Sequence, residues 1–331
     1  MFAYRRRASR ALVPLYVGMP RLPPQRPHPT VKCRTLGRTT LRLSELGFGA
    51  MAIGDGAGGI GYGPTDDALS VRAVHASLDR GCTFFDTADF FGAGHSELVL
   101  GRALRRASHA HPIVVATSVG GPAHAPASGT GFSPAHLSEA LDASLRRLGR
   151  DHVDLYQLCN PPCGITTEDS IFQALEQFRA AGKIRYYGVT LRRWRDALHW
   201  IESGCVHSVQ IAYNVLVAAY AGPSLRAVFD AARLRSVGLI AREPLANGFL
   251  AGPRKRSTTY HDSDVRASIT PLERKLREAL ATTFMAQISG NLTAAQAALR
   301  FVLDERAFAT VIVGIKSPVQ AAENFRSVDL A

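Results

Sequence analysis

The sequence predicts an α/β protein, a (β/α)8 TIM barrel with an N-terminal β-hairpin. Three observations predict this fold: eight short strand-like runs, helical stretches between them, and an alternating apolar and polar segment before the first run. Short apolar runs are typical of parallel strands that are buried on both faces. Eight such strands, each followed by a helix or by a gap long enough for one, fit a closed barrel better than an open sheet.

The elements follow from local patterns. Residues 33–44 alternate around Gly37, as two short strands joined by a turn would. Ser133 and Pro134 are typical N-cap and first-turn residues of a helix. The predicted barrel strands are 46–50, 83–85, 112–117, 153–157, 185–190, 207–211, 237–241 and 310–314. The predicted helices are 65–80, 133–149, 168–181, 193–203, 222–235, 293–305 and 318–327.

Charge and composition divide the chain into two parts. Residues 1–32 hold seven cations and no carboxylate, which leaves about +5 of the net charge of +12 for the rest. We expect residues 1–30 to be a disordered basic, proline-rich extension and residues 31–331 to form the barrel. The barrel's mild charge argues against a nucleic-acid partner, and no apolar run reaches the 18 residues of a membrane span. Five scattered cysteines predict no disulfide framework, which favours a cytoplasmic protein.

A barrel of this kind places its site at the carboxyl ends of the strands. The sequence contains no GxGxxG, P-loop, HExxH or GxSxG motif. The glycine-rich segment 54–63 lacks the Lys-Ser/Thr pair of a phosphate loop, so we interpret it as a loop at the barrel mouth. No cluster of histidines and cysteines predicts a metal site. The expected partner is therefore a small-molecule substrate.

Seven stretches occur in the order typical of one enzyme family. Through them the chain from Arg34 to Ser327 resembles the aldo/keto reductases, particularly their aldose- and galactose-dehydrogenase-like branch. The stretches are LGFGAMAIG (46–54), FFDTADFFGAGHSELVLGRAL (84–104), SLRRLGRDHVDLYQL (144–158), GKIRYYGVT (182–190), VQIAYN (209–214), PLANGFLAG (244–252) and GIKSPVQAAEN (314–324).

The resemblance implies a catalytic tetrad of which one member is present. In this family a tyrosine donates the proton, a lysine lowers its pKa, an aspartate pairs with the lysine and a histidine orients the substrate. The aspartate corresponds to Asp86, but the tyrosine, lysine and histidine positions carry Phe91, Ser118 and Cys159. Phenylalanine has no proton to donate, and serine carries no charge. We therefore expect ordinary tyrosine-dependent carbonyl reduction to be nearly absent.

The resemblance also implies an NADP(H) site. Leu191 departs from the family pattern where an asparagine is usual, and Glu243 brings a negative charge to the pyrophosphate region. The nicotinamide end would be held by Thr190, Gln210 and Tyr213 and the adenosine end by Gly314, Lys316, Gln320, Glu323 and Asn324, with the lysine at the 2′-phosphate.

Several roles remain open for individual residues. Without a lysine partner, Asp86 should have a raised pKa and could serve as a general base, or it could be structural. Tyr62 is the candidate for a substitute proton donor. Cys159 is either a neutral thiol or, with Cys163 on the same loop, a reactive one, and His95 could approach the site.

Three functions are compatible with these residues. The first, which we favour from the sequence, is a small-molecule enzyme that performs dehydration, isomerisation or cyclisation with Asp86 as the base. The second is an NADP(H)-dependent oxidoreductase acting on an activated carbonyl, enone or imine. The third is a catalytically silent NADP(H)-binding protein.

Overall fold

A computed structural model describes residues 32–55, 58, 60–105, 111–121, 130–163, 169–253 and 259–329. The expectation for residues 1–30 lies outside this range. Eight parallel strands close into a barrel in the order β10-β3-β4-β5-β6-β7-β8-β9, which confirms the predicted (β/α)8 fold. The barrel strands are β3 (Leu46–Gly49), β4 (Phe84–Asp86), β5 (Val114–Val119), β6 (Val153–Cys159), β7 (Ile184–Leu191), β8 (Ser208–Ala212), β9 (Gly238–Arg242) and β10 (Phe308–Gly314).

The predicted hairpin is present as an antiparallel pair, β1 (Cys33–Thr35) and β2 (Arg42–Ser44). Gly37, in the turn, has φ 51° and lies against the backbone of residues 236–238, so a side chain there would collide with main-chain atoms. The hairpin closes the amino-terminal end of the barrel. The hairpin contributes three buried leucines, Leu36, Leu41 and Leu43. They pack on apolar residues of the barrel strands: Phe84, Val114, Ala116, Leu155, Ile240 and Ile312.

Nine α-helices occur in the described parts of the chain, and most of them surround the barrel. Two of them, α2 and α7, lie in segments where the sequence patterns predicted none. The helices are α1 (Asp67–Leu78), α2 (His95–Arg105), α3 (Pro134–Leu148), α4 (Ser170–Ala180), α5 (Ala197–Glu202), α6 (Val215–Arg235), α7 (Pro271–Met285), α8 (Ala294–Leu303) and α9 (Pro318–Asp329).

Helix caps explain several of these boundaries. The Ser133 hydroxyl accepts a hydrogen bond from the amide of His136, and Pro134 follows it in the first turn of α3, as predicted. Gly149 ends that helix with φ 64°, a left-handed conformation that suits glycine. At α8, Thr293 and Gln296 form a reciprocal capping box. These caps fix where α3 begins and ends and where α8 begins.

Within the described ranges, no individual helix is both long and apolar enough to cross a bilayer. The segments Val215–Ala221 and Ser224–Arg235 satisfy the length and composition limits only when taken together, and they are bent by 101° at the break between them.

Candidate active site

One large cleft lies at the carboxyl ends of the barrel strands. Its volume is about 1360 Å³. All five residues predicted to take part in or replace the catalytic chemistry line it, together with seven of the eight predicted cofactor residues. These twelve are Tyr62, Asp86, Phe91, Ser118, Cys159, Thr190, Gln210, Gly314, Lys316, Gln320, Glu323 and Asn324.

Asp86 ends β4 and is held on the cleft floor by two amide side chains. The Nε2 atoms of Gln157 and Gln210 donate to its Oδ1 at 2.9 and 3.0 Å. The Thr190 hydroxyl in turn donates to Gln210 Oε1 at 3.1 Å. These three polar side chains are buried, so they fix the orientation of the carboxyl group. Gln157, which the sequence analysis did not single out, is thus a positioning residue of the site.

The carboxyl group of Asp86 is strongly desolvated. Burial is the main cause that raises its pKa from 3.8 to about 7, and the two glutamine amides and Arg242 oppose this shift only in part. Asp86 can therefore exist as either a carboxylic acid or a carboxylate near neutral pH. This agrees with the raised pKa expected for Asp86 without a neighbouring lysine.

Arg242, the last residue of β9, brings a cation to the site that sequence analysis missed. Its guanidinium forms an ion pair with Glu243, and Nη2 donates to the carbonyl oxygen of Leu191 at 2.8 Å. Because Arg242 neutralises Glu243, the negative charge that argued against an anionic ligand is largely compensated.

The backbone that follows β9 is unusual. Glu243, Ala246 and Asn247 have φ values of 56°, 47° and 56°, in the left-handed region that residues other than glycine seldom adopt. All three residues line the cleft. Strained backbone of this kind costs free energy and is concentrated at functional sites. The loop after β9 is therefore shaped for the cleft rather than for stability alone.

The positions that the family resemblance assigns to a tyrosine and a lysine carry Phe91 and Ser118. The Phe90 and Phe91 rings lie edge to face, 5.0 Å apart, and belong to a small apolar cluster that contacts Cys159. Ser118 lies next to Asp86, since both contact the same Gln157 nitrogen, at 3.4 and 2.9 Å. One wall of the cleft near Asp86 is therefore apolar.

Cys159 and Cys163 lie in different surroundings. Cys159 is buried at the end of β6, whereas Cys163 is exposed and is not part of the cleft lining. Burial raises the pKa of the Cys159 thiol to about 11, although Arg242 acts in the opposite direction. Because the thiolate is the reactive form, the geometry supports a neutral thiol at Cys159.

Alkylation tests this assignment. We expect iodoacetamide at pH 7.5 to modify Cys163 rapidly and Cys159 slowly, since Cys159 is both buried and protonated. Peptide mass spectrometry over time would give the two rates, and the same reaction in denaturant is the control for intrinsic reactivity. Modification of Cys159 at the rate of Cys163 would show that it is an activated thiolate.

Tyr62 faces the cleft but is not tuned as a proton donor. Its hydroxyl donates to Asn247 Oδ1 at 2.7 Å. Burial raises its pKa above 10, and the nearby Arg266 and Arg242 do not reverse the shift. A catalytic tyrosine would need the opposite shift, so this arrangement favours a role in holding the mouth loop.

The residues predicted for the adenosine end of a cofactor line the same cleft. Lys316 Nζ donates to the Tyr62 carbonyl oxygen at 2.6 Å, and its pKa is lowered by burial and by Arg266. The backbone amide of Lys316 donates to Gln320 Oε1 at 2.8 Å. Lysine has three N–H donors, so Lys316 can hold Tyr62 and still contact an anion.

Tyr213 does not lie with the other predicted cofactor residues. Its ring packs among Phe229, Phe301 and Phe308, with centroids 4.9 to 5.8 Å away, and it is absent from the cleft lining. The aromatic face that was predicted for nicotinamide stacking is therefore occupied by the barrel's outer packing. His95 also lies outside the lining and pairs with Asp67 at 2.7 Å.

No group of three or more histidine, cysteine, aspartate or glutamate side chains among the described residues could hold a metal ion. The polar groups around Asp86 on the cleft floor are its own carboxyl, the amides of Gln157 and Gln210, two hydroxyls, one thiol and one guanidinium; the last four belong to Ser118, Thr190, Cys159 and Arg242. Such a set suits binding and proton transfer to an organic molecule.

Comparison with protein families decides the relationship of the chain. The Aldo/keto reductase family model matches residues 45–331. The chain belongs to the aldo/keto reductase family. This aldo/keto reductase is 27% identical over 303 residues to the NADP(+) aldo-keto reductase yakc of Schizosaccharomyces pombe, covering 89% of this chain and 86% of that one. It is 26% identical over 306 residues to L-galactose dehydrogenase of Arabidopsis thaliana, with coverage of 90% and 88%.

Solved structures agree with this relationship. The holo form of an aldo-keto reductase from Bacillus halodurans superimposes with a TM-score of 0.68 at 26% identity, over 90% of this chain and 91% of that one. A glycerol dehydrogenase from Gluconobacter oxydans gives 0.67 at 25% identity, with coverage of 88% and 89%. Family membership and the barrel fold are thus established together.

Proposed function

We propose that this aldo/keto reductase is an NADP(H)-dependent oxidoreductase whose small-molecule substrate is an activated carbonyl, enone or imine. The observation that carries the proposal is the continuous cleft that joins Asp86 to Lys316. At about 1360 Å³ it exceeds the roughly 300–1,000 Å³ of a pocket for one drug-sized ligand. A dinucleotide and a substrate would fit side by side.

The residues at the Lys316 end fit the phosphate-bearing half of the cofactor. Lys316 and Arg266 supply positive charge there, and Gln320, at the amino-terminal end of α9, offers an amide. Helix amino termini and lysines are common phosphate ligands. NADPH, when bound, supplies the hydride that the protein's own side chains cannot.

The residues near Asp86 would manage the proton and the environment of the substrate. Gln157 and Gln210 orient the carboxyl group, and with a pKa of about 7 that group can give a proton near neutrality. The Phe90 and Phe91 rings would exclude water from the reacting carbon. A substrate that is already activated needs less help from an acid, which suits a site without the family tyrosine.

A second candidate function is proton-transfer chemistry without hydride transfer, such as dehydration, isomerisation or cyclisation. It is favoured by the raised pKa of Asp86, since a base with a pKa near the working pH is efficient. The proton-transfer function requires no cofactor, so a measurement of NADPH binding distinguishes it from the oxidoreductase function. Fluorescence titration of the purified protein with NADPH measures this directly.

Lys316→Ala tests the cofactor assignment. We expect NADPH to bind the parent protein more tightly than NADH, and the variant to lose that preference. Hydrogen bonds to charged groups contribute about 1.5–3 kcal/mol, so the affinity for NADPH should fall roughly 10- to 100-fold. Lys275→Ala removes an exposed lysine of α7 that does not line the cleft and is the matched control. Equal affinities of the parent for both cofactors would contradict the assignment.

A further inference from the structure

Arg242 is placed to contact a ligand on the cleft floor. About one fifth of its side chain is exposed, and that surface borders the cleft. Of the five N–H donors of a guanidinium, one bonds Glu243 and one bonds the Leu191 carbonyl oxygen. The guanidinium group is planar and rigid, and these two contacts fix its plane. The directions of the remaining N–H donors are therefore fixed as well. Arg242 is thus preorganised to donate to a further acceptor.

The charge of Arg242 acts on the centre of the site. It interacts electrostatically with Asp86, Cys159 and Tyr62, three titratable residues that line the cleft. Of the cations that line the cleft, Arg242 is the one that acts on the Asp86 carboxyl group, where it opposes the rise in the pKa. Arg242 is therefore the cation closest in role to the missing lysine, although it comes from the opposite side of the barrel.

A guanidinium stabilises a negative charge but does not give up its proton. Arginine has a pKa of about 12.5 or more and stays charged in proteins. Hydride addition to a simple aldehyde creates an alkoxide, which is strongly basic and needs a proton as it forms. Hydride addition to the β-carbon of a conjugated carbonyl creates an enolate, whose charge is shared between carbon and oxygen. A fixed guanidinium suits the second case.

We propose that Arg242 binds the oxygen of an α,β-unsaturated carbonyl substrate and stabilises the enolate formed when its carbon–carbon double bond is reduced. This rests on the proposed function and narrows its substrate class. The β-carbon accepts a hydride from NADPH, and the electron pair of the double bond shifts so that the negative charge reaches the oxygen. The α-carbon then takes one proton, with Asp86 as the donor. The products are the saturated carbonyl compound and NADP+.

A phenolate that mimics the enolate tests Arg242 without cofactor or turnover. The probe is 4-nitrophenol, whose neutral and anionic forms absorb at different wavelengths. At pH 6, where Asp86 is mostly protonated, we expect the parent protein to bind the anion and to lower the pKa of the bound phenol by about one unit or more. One pKa unit corresponds to a tenfold change in affinity for the anion.

Variants separate the charge of Arg242 from general effects. Arg242→Gln should lose the shift in the pKa of the bound phenol, and Arg242→Lys should retain part of it. Arg195→Gln removes an exposed arginine that does not line the cleft and should leave the shift unchanged. Circular dichroism would verify that each variant is folded. An unchanged shift in Arg242→Gln, or equal losses in Arg195→Gln, would overturn the inference.

Turnover then tests the substrate class. With NADPH, we expect the parent to reduce 2-cyclohexen-1-one at the double bond, and Arg242→Gln to lower kcat/KM about 10²–10³-fold, as removal of an oxyanion donor does. If the parent binds the phenolate through Arg242 but neither binds NADPH nor reduces the enone, the oxyanion site stands and the proposed function fails. If NADPH binds and only aldehydes are reduced, the oxidoreductase proposal stands and the substrate class is wrong.

Discussion

The triple variant Phe91→Tyr, Ser118→Lys, Cys159→His is expected to reduce benzaldehyde with NADPH at least about 10²-fold faster than the parent. Each restored acid–base or oxyanion contact contributes roughly 10²–10⁴ in rate, although members of one catalytic unit are not additive. The geometry allows a lysine at position 118 to pair with Asp86, because Ser118 and Asp86 contact the same Gln157 nitrogen. A lysine at 118 would reach the Asp86 carboxylate.

The single variants serve as controls for this result. Phe91→Tyr alone returns the phenol but no cation to lower its pKa, so it should recover only a small part of the activity. The parent should not reduce benzaldehyde detectably between pH 6 and 9. A parent turnover above about one per second, the low end of ordinary enzyme rates, would show that another group already donates the proton; loss of that turnover in Tyr62→Phe would identify it.

Asp86→Asn is expected to stabilise the protein at alkaline pH and to abolish its chemistry. The folded-state pKa of Asp86 is raised from 3.8 to about 7, so its contribution to stability is fully present below pH 4 and is lost as the pH rises through 7. The rise in the pKa from 3.8 to about 7, at about 1.36 kcal/mol for each pKa unit, amounts to a free energy of roughly 4 kcal/mol. Asparagine avoids this cost, because its oxygen still accepts from Gln157 and Gln210.

Thermal unfolding of parent and variant from pH 4 to pH 9 measures this effect. The difference in the free energy of unfolding should be small near pH 4 and should grow toward a maximum above pH 8. Reduction of the substrate should fall by about 10²-fold or more. A difference that does not change with pH would show that Asp86 does not titrate in this range, and unchanged activity would leave it as a structural residue.

Asp89 offers a matched control on the same segment. Burial and the neighbouring Glu97 raise its pKa to about 7 as well, and its Oδ1 has no hydrogen-bond partner within the described structure. It does not line the cleft. Asp89→Asn should therefore reproduce the pH-dependent stabilisation while leaving phenolate binding and turnover unchanged. The comparison separates the energetic cost of a buried carboxylate from its use in the site.

The barrel could be predicted from sequence because its strands carry a simple signal. Each predicted strand coincides with an observed one to within about two residues, since strands buried on both faces are short uninterrupted apolar runs. Helix α2 was missed because it follows directly on the DTADFFG motif and contains buried polar residues, among them Glu97, which accepts hydrogen bonds from Thr117 and Arg147. Burial of a charged residue against a distant partner leaves no local pattern.

Side-chain parity along the strands explains which of the predicted site residues line the cleft in the structure and which do not. Alternate residues of a barrel strand point inward. Gln210 and Ala212 line the cleft, so Tyr213, the next residue, points to the outer packing. By the same rule Ile240 faces the interior and Arg242 follows it two residues later. The alternation of side chains along β9 thus indicated that Arg242 faces the cleft. That Arg242 acts on Asp86 depends on the closure of the barrel, which the alternation within one strand does not reveal.

The hairpin that packs into the amino-terminal end of the barrel also determines how molecules travel to and from Asp86. Because Leu36, Leu41 and Leu43 fill that end, the described residues leave the carboxyl ends of the strands as the route to Asp86. Any ligand of the cleft floor must therefore enter and leave past the loops at that end, among them the loop after β9 with its left-handed residues.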